Sequence, residues 1–312
     1  MIHPASNQHA GTVKPLREPI FIAGPARSGT SLLLSILSRA AGLWSPYREL
    51  HAPYEWDIGL HPNLKEGDSN WLEAKHATPA RAKQVRTALW GESYNTEIFG
   101  GTHPTDSLSF HFVRRLSLVW KTIRRPPIRI VDKNPKHCFR VGFLKSIFPD
   151  ARFVFLYRGP EANISSLIEG WKSGQYATYD VPRSGQNFQW HFDLPPGWKD
   201  WMDLPLPKRC AHQWNGYSQA LLNAEERLRS EEFIRCYYED LVDRPLEVAE
   251  SLFDFLQEEL SATVRRHCES LPAVNTVSEP RPEKWRKRED LVRRVKPVFK
   301  DTAEAIGYTP KV

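Results

Sequence analysis

The sequence predicts an α/β protein of the three-layer type, in which helices cover both faces of a central parallel sheet. Short apolar runs typical of buried parallel strands, such as IFIA at 20–23 and RFVFLY at 152–157, alternate with amphipathic helical segments. A glycine-bounded loop joins the first of these runs to a helix. Tryptophan and proline concentrate in two segments, roughly 44–105 and 171–214, which we expect to be long aromatic loops outside the sheet.

The length and composition favour one domain. The 312 residues, 40% hydrophobic and 26% charged, suffice for one large α/β domain with insertions. We expect a mobile N-terminal tail over 1–18 and a single domain over 19–312, with insertions at 51–127 and 172–207. Within the first insertion, 110–120 has the periodicity of an amphipathic helix.

Charge and cysteine content exclude several kinds of partner. The net charge of +6 suits an anionic ligand but is too small and too dispersed to indicate nucleic-acid binding. The four cysteines lie far apart, without the spacing of a zinc or redox motif, so we expect no metal. No apolar stretch of about eighteen residues is present, and the polar N-terminus lacks a secretory core. We therefore expect a cytoplasmic protein without a membrane span.

The first predicted strand leads into the loop GPARSGT at 24–30. Its glycines allow the backbone to approach a ligand closely, and the N–H groups of the following helical turn favour an anion. The spacing nearly matches the P-loop pattern G-x-x-x-x-G-K-[ST], but Thr30 stands at the lysine position and the basic residue is Arg27. The loop therefore predicts a P-loop-like cradle for a phosphate-like group other than a conventional γ-phosphate. A surface turn without a ligand is the alternative.

Polar residues follow the next two predicted strands. Glu49 and His51 come shortly after Leu43-Trp44, and Lys133 follows the apolar run at 128–131. Ligands of open α/β sheets bind at the carboxyl edge of the strands, where these side chains are expected to lie. The alternatives are a surface ion pair for the glutamate and a solvated position for the lysine.

Arg158 ends the apolar run at 152–157 and precedes a proline turn and a helix. An arginine in this position needs an anionic partner, either a ligand or a carboxylate such as Glu161 or Asp150. The later segment YEDL at 238–241 also follows a predicted strand.

Taken together, three segments resemble the sulfotransferases that use 3′-phosphoadenosine 5′-phosphosulfate (PAPS). They are GPARSGTSLL, FPDARFVFLYRGPEANISSLI and YEDL. Bacterial members and tyrosylprotein sulfotransferases have a PRSGT-like loop, whereas here the proline stands one place earlier, at Pro25. The resemblance implies a P-loop-like fold and in-line transfer of a sulfuryl group from PAPS to a hydroxyl, or second to an amine, without a metal.

The resemblance also implies roles for single residues. Glu49 would accept the proton of the acceptor, with His51 as the rival base, and Lys133 would stabilise the leaving side. Arg158 and Ser166 would bind the 3′-phosphate. The 5′-phosphosulfate would bind Arg27, which also neutralises the bridging oxygen, together with Ser28, Gly29, Thr30 and Ser31.

Two further parts of the nucleotide site follow from the same resemblance. Tyr238 would lie near the adenine. The basic segment 273–288 resembles the part of the family that covers the cofactor phosphates, although a solvated basic turn is the alternative. Its candidate residues are Ser278, Lys284, Trp285 and Arg286.

Two other classes of function are compatible with a phosphate loop. One is a P-loop kinase or ATPase. The absence of a lysine at position 30 and the presence of the pair Arg158 and Ser166 count against it. The other is a non-catalytic nucleotide-binding protein of the same fold. The expected acceptor of a sulfotransferase is a small-molecule or glycan hydroxyl bound by the two insertions, whose aromatic residues equally suit a sugar, a lipid alcohol, a phenol or a peptide tyrosine.

Overall fold

The structure is a computed structural model that describes residues 16–40, 42–64, 69–99, 129–183, 186–274, 277 and 283–312. Most of the expected N-terminal tail, the expected helix at 110–120 and Ser278 lie outside these residues.

In the described part of the chain, the central sheet is formed by five parallel strands, β1 (Ile20–Ala23), β2 (Leu43–Trp44), β3 (Arg129–Lys133), β4 (Arg152–Tyr157) and β7 (Phe233–Tyr237). Their order in the sheet is β2-β3-β1-β4-β7. Since β1 lies between β3 and β4, the loops that follow these three strands open at one edge of the sheet. The predicted P-loop-like, three-layer α/β class is confirmed.

Helices cover both faces of this sheet because the side chains of each central strand alternate between two apolar layers. Ile20 and Ile22 of β1 pack in the layer that holds the helix at Thr30–Leu37, whereas Phe21 packs with Phe153 in the opposite layer. The helices of the described residues are α1 (Thr30–Leu37), α2 (Pro79–Phe99), α3 (Val141–Ile147), α4 (Pro160–Ser173), α5 (Leu206–Glu225), α6 (Tyr238–Asp243), α7 (Pro245–Leu256), α8 (Ala262–Cys268), α9 (Glu289–Arg294) and α10 (Lys296–Ala305).

The segment 172–207 is more regular than the sequence indicated. It contains an antiparallel hairpin of β5 (Ala177–Arg183) and β6 (Gln186–His191). Only Tyr179 and Val181 of β5 are buried, so the strand carries too few apolar residues to be recognised by alternation. Trp190 and Trp198, expected to line an open loop, are buried in the core.

The first insertion also holds regular structure. α2 spans 21 residues but shows no clear apolar stripe, which is why its periodicity did not reveal it. Single 3₁₀ turns precede it at Ala52–Tyr54, Pro62–Leu64 and Ala74–His76. None of the helices in the described residues is long and apolar enough to cross a membrane.

Candidate active site

The loop between β1 and α1 forms one wall of the site. Gly29 has a φ of +100° and caps α1, and its carbonyl accepts the N–H groups of Leu32 at 2.9 Å and Leu33 at 3.1 Å. A Cβ at this position would lie 2.5 Å from the ring of Tyr238, so only glycine fits. The Oγ of Ser28 is buried and has no hydrogen-bond partner among the described residues. A buried hydroxyl beside a helix N-terminus suits an anionic ligand.

Arg158 and Tyr238 lie side by side because Tyr157 of β4 pairs with Tyr237 of β7 at the same edge of the sheet. The guanidinium carbon of Arg158 lies 4.2 Å from the centre of the Tyr238 ring, and its Nη1 donates to the carbonyl of Arg27 at 2.7 Å. Its Nε is buried and has no partner in the described chain. Burial lowers the pKa of Arg158, so a neighbouring anion would stabilise its charged form.

The two carboxylates considered from the sequence as partners of Arg158 are engaged elsewhere. Glu161 accepts the backbone N–H of Lys311 at 2.5 Å, and Asp150 accepts that of Glu18 at 2.8 Å. The described part of the chain therefore brings no carboxylate into an ion pair with Arg158. The partly buried guanidinium of this arginine faces the phosphate loop. A planar guanidinium in that position is suited to a phosphate.

Arg27 reaches from the loop toward α4. Its Nη1 donates to the hydroxyl of Tyr176 at 2.7 Å, and its Nε donates to the Oγ of Ser166 at 3.4 Å. The loop arginine and the predicted 3′-phosphate serine are thus in contact. The neighbouring Ser165 receives a hydrogen bond of 3.2 Å from Nη1 of Arg288, a residue that the sequence reasoning missed.

Glu49, Lys133 and His51 meet at the ends of β2 and β3. The Nζ of Lys133 lies 2.5 Å from Oε1 of Glu49, and Nε2 of His51 lies 3.8 Å from Oε2. The side chain of Asn134 donates to the carbonyl of Leu50 at 2.9 Å, which holds the 49–51 segment against the end of β3. Because Ile22 pairs with Lys133, this cluster lies next to the loop that follows β1.

The protonation states in this cluster follow from burial and charge. Burial raises the pKa of Glu49, but the charge and hydrogen bond of Lys133 outweigh it, with His51 and Lys136 adding to the net lowering. Burial lowers the pKa of His51 to about 4, and the charge of Lys136 contributes. Both groups are therefore unprotonated at neutral pH, and either can accept a proton.

A buried charged network supports this cluster. Glu55 accepts hydrogen bonds from Lys136 at 3.0 Å, from Arg140 and from Asn70 at 2.9 Å, and it is 1% exposed. Asn70 also donates to the hydroxyl of Tyr179 at 2.8 Å. The network joins both insertions to the turn after β3. No local pattern in the sequence marks it, because its members come from segments far apart in the chain.

The basic C-terminal segment lies only partly at the site. Lys284 pairs with Glu169 of α4 at 2.9 Å, and Trp285 is a core residue with 4% exposure. Arg286 pairs with Glu283 and with Glu289 on the surface. Arg288 contacts Ser165, the residue next to the predicted 3′-phosphate serine, Ser166.

A glycine loop after the central strand, facing a partly buried arginine just beyond the end of the next strand, is the arrangement of a P-loop-like α/β protein. Residues 19–262 match the sequence model described as the Sulfotransferase family. This match covers well over half of the chain, and the chain belongs to the sulfotransferase family. The predicted recognition is confirmed.

Similar proteins agree with this assignment. Protein-tyrosine sulfotransferase A of Caenorhabditis elegans is 22% identical over 242 residues, which are 76% of this chain and 49% of that protein. The chain thus spans about half the length of this curated relative. The sulfotransferase domain from the curacin biosynthetic pathway is 19% identical with a TM-score of 0.53, covering 94% of this chain and 99% of the domain. The sulfotransferase domain of an olefin synthase from Synechococcus is 17% identical with a TM-score of 0.51, covering 98% and 100%. These two structures share the fold.

Proposed function

We propose that this protein transfers a sulfuryl group from PAPS to the hydroxyl of a small molecule or glycan. The observation that carries the proposal is Arg158, whose guanidinium is placed between the phosphate loop and Tyr238 without a carboxylate partner in the described chain. A kinase or ATPase needs no such arginine at the end of β4. Membership of the sulfotransferase family supplies the reaction class.

The residues present fit a ligand with anionic groups at two positions. The loop over 24–31, with the unpartnered hydroxyl of Ser28, suits the phosphosulfate end. Arg158 and Ser166 suit the 3′-phosphate, and the ring of Tyr238 lies where the nucleoside would join these two groups. When bound, PAPS would supply the sulfuryl group and a phosphate leaving group.

Glu49 is the proposed base. Its Oε1 is held by Lys133, so Oε2 is the oxygen left to take the proton of the acceptor hydroxyl. As the carboxylate is neutralised by that proton, its attraction for the ammonium group weakens. Lys133 is then available to stabilise negative charge on the leaving side. His51 is the rival base, since its imidazole is neutral and lies on the Oε2 side.

The two insertions, 51–127 and 172–207, are proposed to form the acceptor side of a single domain. A groove of about 630 Å³ lies between their described parts. Its walls combine apolar and charged side chains, which suits an acceptor with both a ring face and hydroxyl groups. The residues that line the groove are Pro62, Asn63, Asp180, Val181, Pro182, Leu194, Trp198, Lys199 and Met202.

The deciding experiment is calorimetric titration with adenosine 3′,5′-bisphosphate, ADP and AMP. We expect tight binding of the bisphosphate alone, lost in Arg158→Gln and retained in Arg152→Gln. Arg152 is the matched control because it begins the same strand at the opposite edge and donates to the carbonyl of Phe255. Equal binding of ADP, or magnesium-dependent turnover of ATP, would instead favour a kinase-like enzyme. A bisphosphate-binding protein that transfers no label from ³⁵S-PAPS to any hydroxyl acceptor would be a non-catalytic nucleotide-binding protein.

A further inference from the structure

Tyr176 connects the second insertion to the phosphate loop. It lies between the C-terminus of α4 and the start of β5, and its hydroxyl accepts a hydrogen bond of 2.7 Å from Nη1 of Arg27. The guanidinium carbon of Arg27 also lies 4.8 Å from the centre of the tyrosine ring. One side chain of the hairpin segment therefore contacts both the charge and the plane of the loop arginine.

Tyr176 is itself held rigidly. Its ring stacks on Phe192 with centres 5.1 Å apart and planes inclined by 20°, and its carbonyl accepts the N–H of Phe192 at 3.0 Å. Phe192 has a φ of +64°, which an aromatic residue adopts only when its surroundings require it. On α4, a Cβ at Gly170 would lie 2.5 Å from the Phe192 ring and 3.2 Å from that of Tyr176. The absence of a side chain at Gly170 therefore leaves room on α4 for both rings.

We propose that Tyr176 is a positioning residue that fixes the guanidinium of the loop residue Arg27 for sulfuryl transfer. The inference rests on the proposed function for its consequence in catalysis, but not for the contact itself. The side chain of an arginine has many rotamers, and a charge-assisted hydrogen bond with a stacked ring restricts them. The contact of Arg27 with Ser166, at 3.4 Å, is longer and correspondingly weaker. Tyr176 is thus the stronger of these two restraints.

This arrangement gives the segment 172–207, which contains Tyr176 and the β5–β6 hairpin, a role beyond binding the acceptor. No local pattern could reveal this contact, because Tyr176 lies 149 positions from Arg27 and in no recognised motif.

The kinetic test compares Tyr176→Phe with Thr178→Val. The first removes the hydroxyl that binds Arg27 and keeps the ring. The second is the matched control, because the Thr178 hydroxyl bonds to the carbonyl of the same tyrosine at 3.1 Å and does not reach the arginine. We expect kcat for transfer from PAPS to fall roughly ten- to hundredfold in Tyr176→Phe, the loss typical of a hydrogen bond to a charged group. The KM for the acceptor and the Kd for adenosine 3′,5′-bisphosphate should change less than about twofold.

The decisive arm is a double-mutant cycle. If the tyrosine acts through Arg27, the effect of Tyr176→Phe on kcat disappears in an Arg27→Gln background. Full, additive effects of the two substitutions would overturn the proposal, as would an unchanged or increased kcat in the single variant.

A second readout does not depend on activity. In protein labelled with ¹⁵N-arginine, the Nε–H signal of Arg27 is assigned by its absence in Arg27→Lys. We expect it to be ordered in the wild type and in Thr178→Val, and averaged by motion in Tyr176→Phe. Equal order in all three proteins would overturn the proposal. Absence of any PAPS turnover in the wild type, with this difference intact, would overturn the proposed function and leave the positioning contact established.

Discussion

The Nζ of Lys133 lies 2.5 Å from Oε1 of Glu49, although the two residues are 84 positions apart in the sequence. Lys133 is 5% exposed and the carboxylate 35%, so the ammonium is covered while the glutamate stays reachable from the cleft. The contact keeps the carboxylate ionised by lowering its pKa against the opposing effect of burial. An ion pair thus joins Glu49, the proposed proton acceptor, to Lys133, the cation proposed to stabilise the leaving group.

Replacement of Glu49 by Gln should therefore abolish transfer without abolishing nucleotide binding. We expect kcat with PAPS to fall by about 10²- to 10⁴-fold, the usual contribution of a general base. The Kd for adenosine 3′,5′-bisphosphate should stay within about twofold, because its proposed contacts lie at β1 and β4. Glu92→Gln, which breaks the exposed pair with the neighbouring Arg48, is the control and should keep full activity. If His51→Asn instead carries the whole loss and Glu49→Gln retains activity, the histidine is the base.

The residues that sequence reasoning could place are those that stand at the end of a strand. Arg27, Lys133 and Arg158 each follow a short apolar run, and a parallel sheet brings such ends to one edge. The pairing of Lys133 with Glu49 could not be derived in this way, since it requires the register of β2 on β3 and the hydrogen bond from Asn134.

Long-range polar contacts were beyond the reach of local patterns. The network around Glu55 joins residues 55, 70, 136 and 140. In the sequence, Glu55 lies outside any apolar periodicity, and such a position predicts an exposed carboxylate. The β5–β6 hairpin was also beyond local patterns, because only Tyr179 and Val181 of β5 are buried and two apolar positions are too few to mark a strand.

Gly29→Ala should disable the phosphate loop. The alanine Cβ would lie 2.5 Å from the Tyr238 ring, and φ is +100°, so the loop or the tyrosine must move. We expect binding of adenosine 3′,5′-bisphosphate to weaken by at least about tenfold, measured by calorimetry. Gly59→Ala is the matched control, because Gly59 also has a positive φ of +66° but open space at its Cβ. Similar losses in both variants would mean that backbone strain, rather than the contact with Tyr238, explains the effect.

Glu55→Gln should destabilise the fold strongly. The substitution leaves Lys136 and Arg140 buried without their carboxylate, and breaking such a network costs about 3–5 kcal/mol. The free energy of unfolding in urea measures it. Asp203→Asn, which breaks an exposed pair with Arg183, should change that free energy by less than about 1 kcal/mol. A loss of equal size in the two variants would contradict a structural role for the buried network.

His51 and Asp193 should give the stability curve two opposing pH dependences. The pKa of His51 is lowered from 6.5 to about 4 in the folded protein, so the unfolded chain binds its proton first as pH falls. The contribution of His51 to the free energy of unfolding is complete above pH 6.5 and is lost between pH 6.5 and about 4. The substitution His51→Asn should abolish this loss.

For Asp193 the sign is reversed, because burial raises its folded pKa from 3.8 to about 6. The folded protein then holds the proton more tightly, and stability is lost as pH rises from 3.8 to about 6. Urea unfolding from pH 4 to pH 8 measures both effects. Relative to the wild type, His51→Asn should gain stability toward low pH and Asp193→Asn toward high pH within the same window. Parallel curves for the wild type and both variants would show that neither group is shifted as its burial implies.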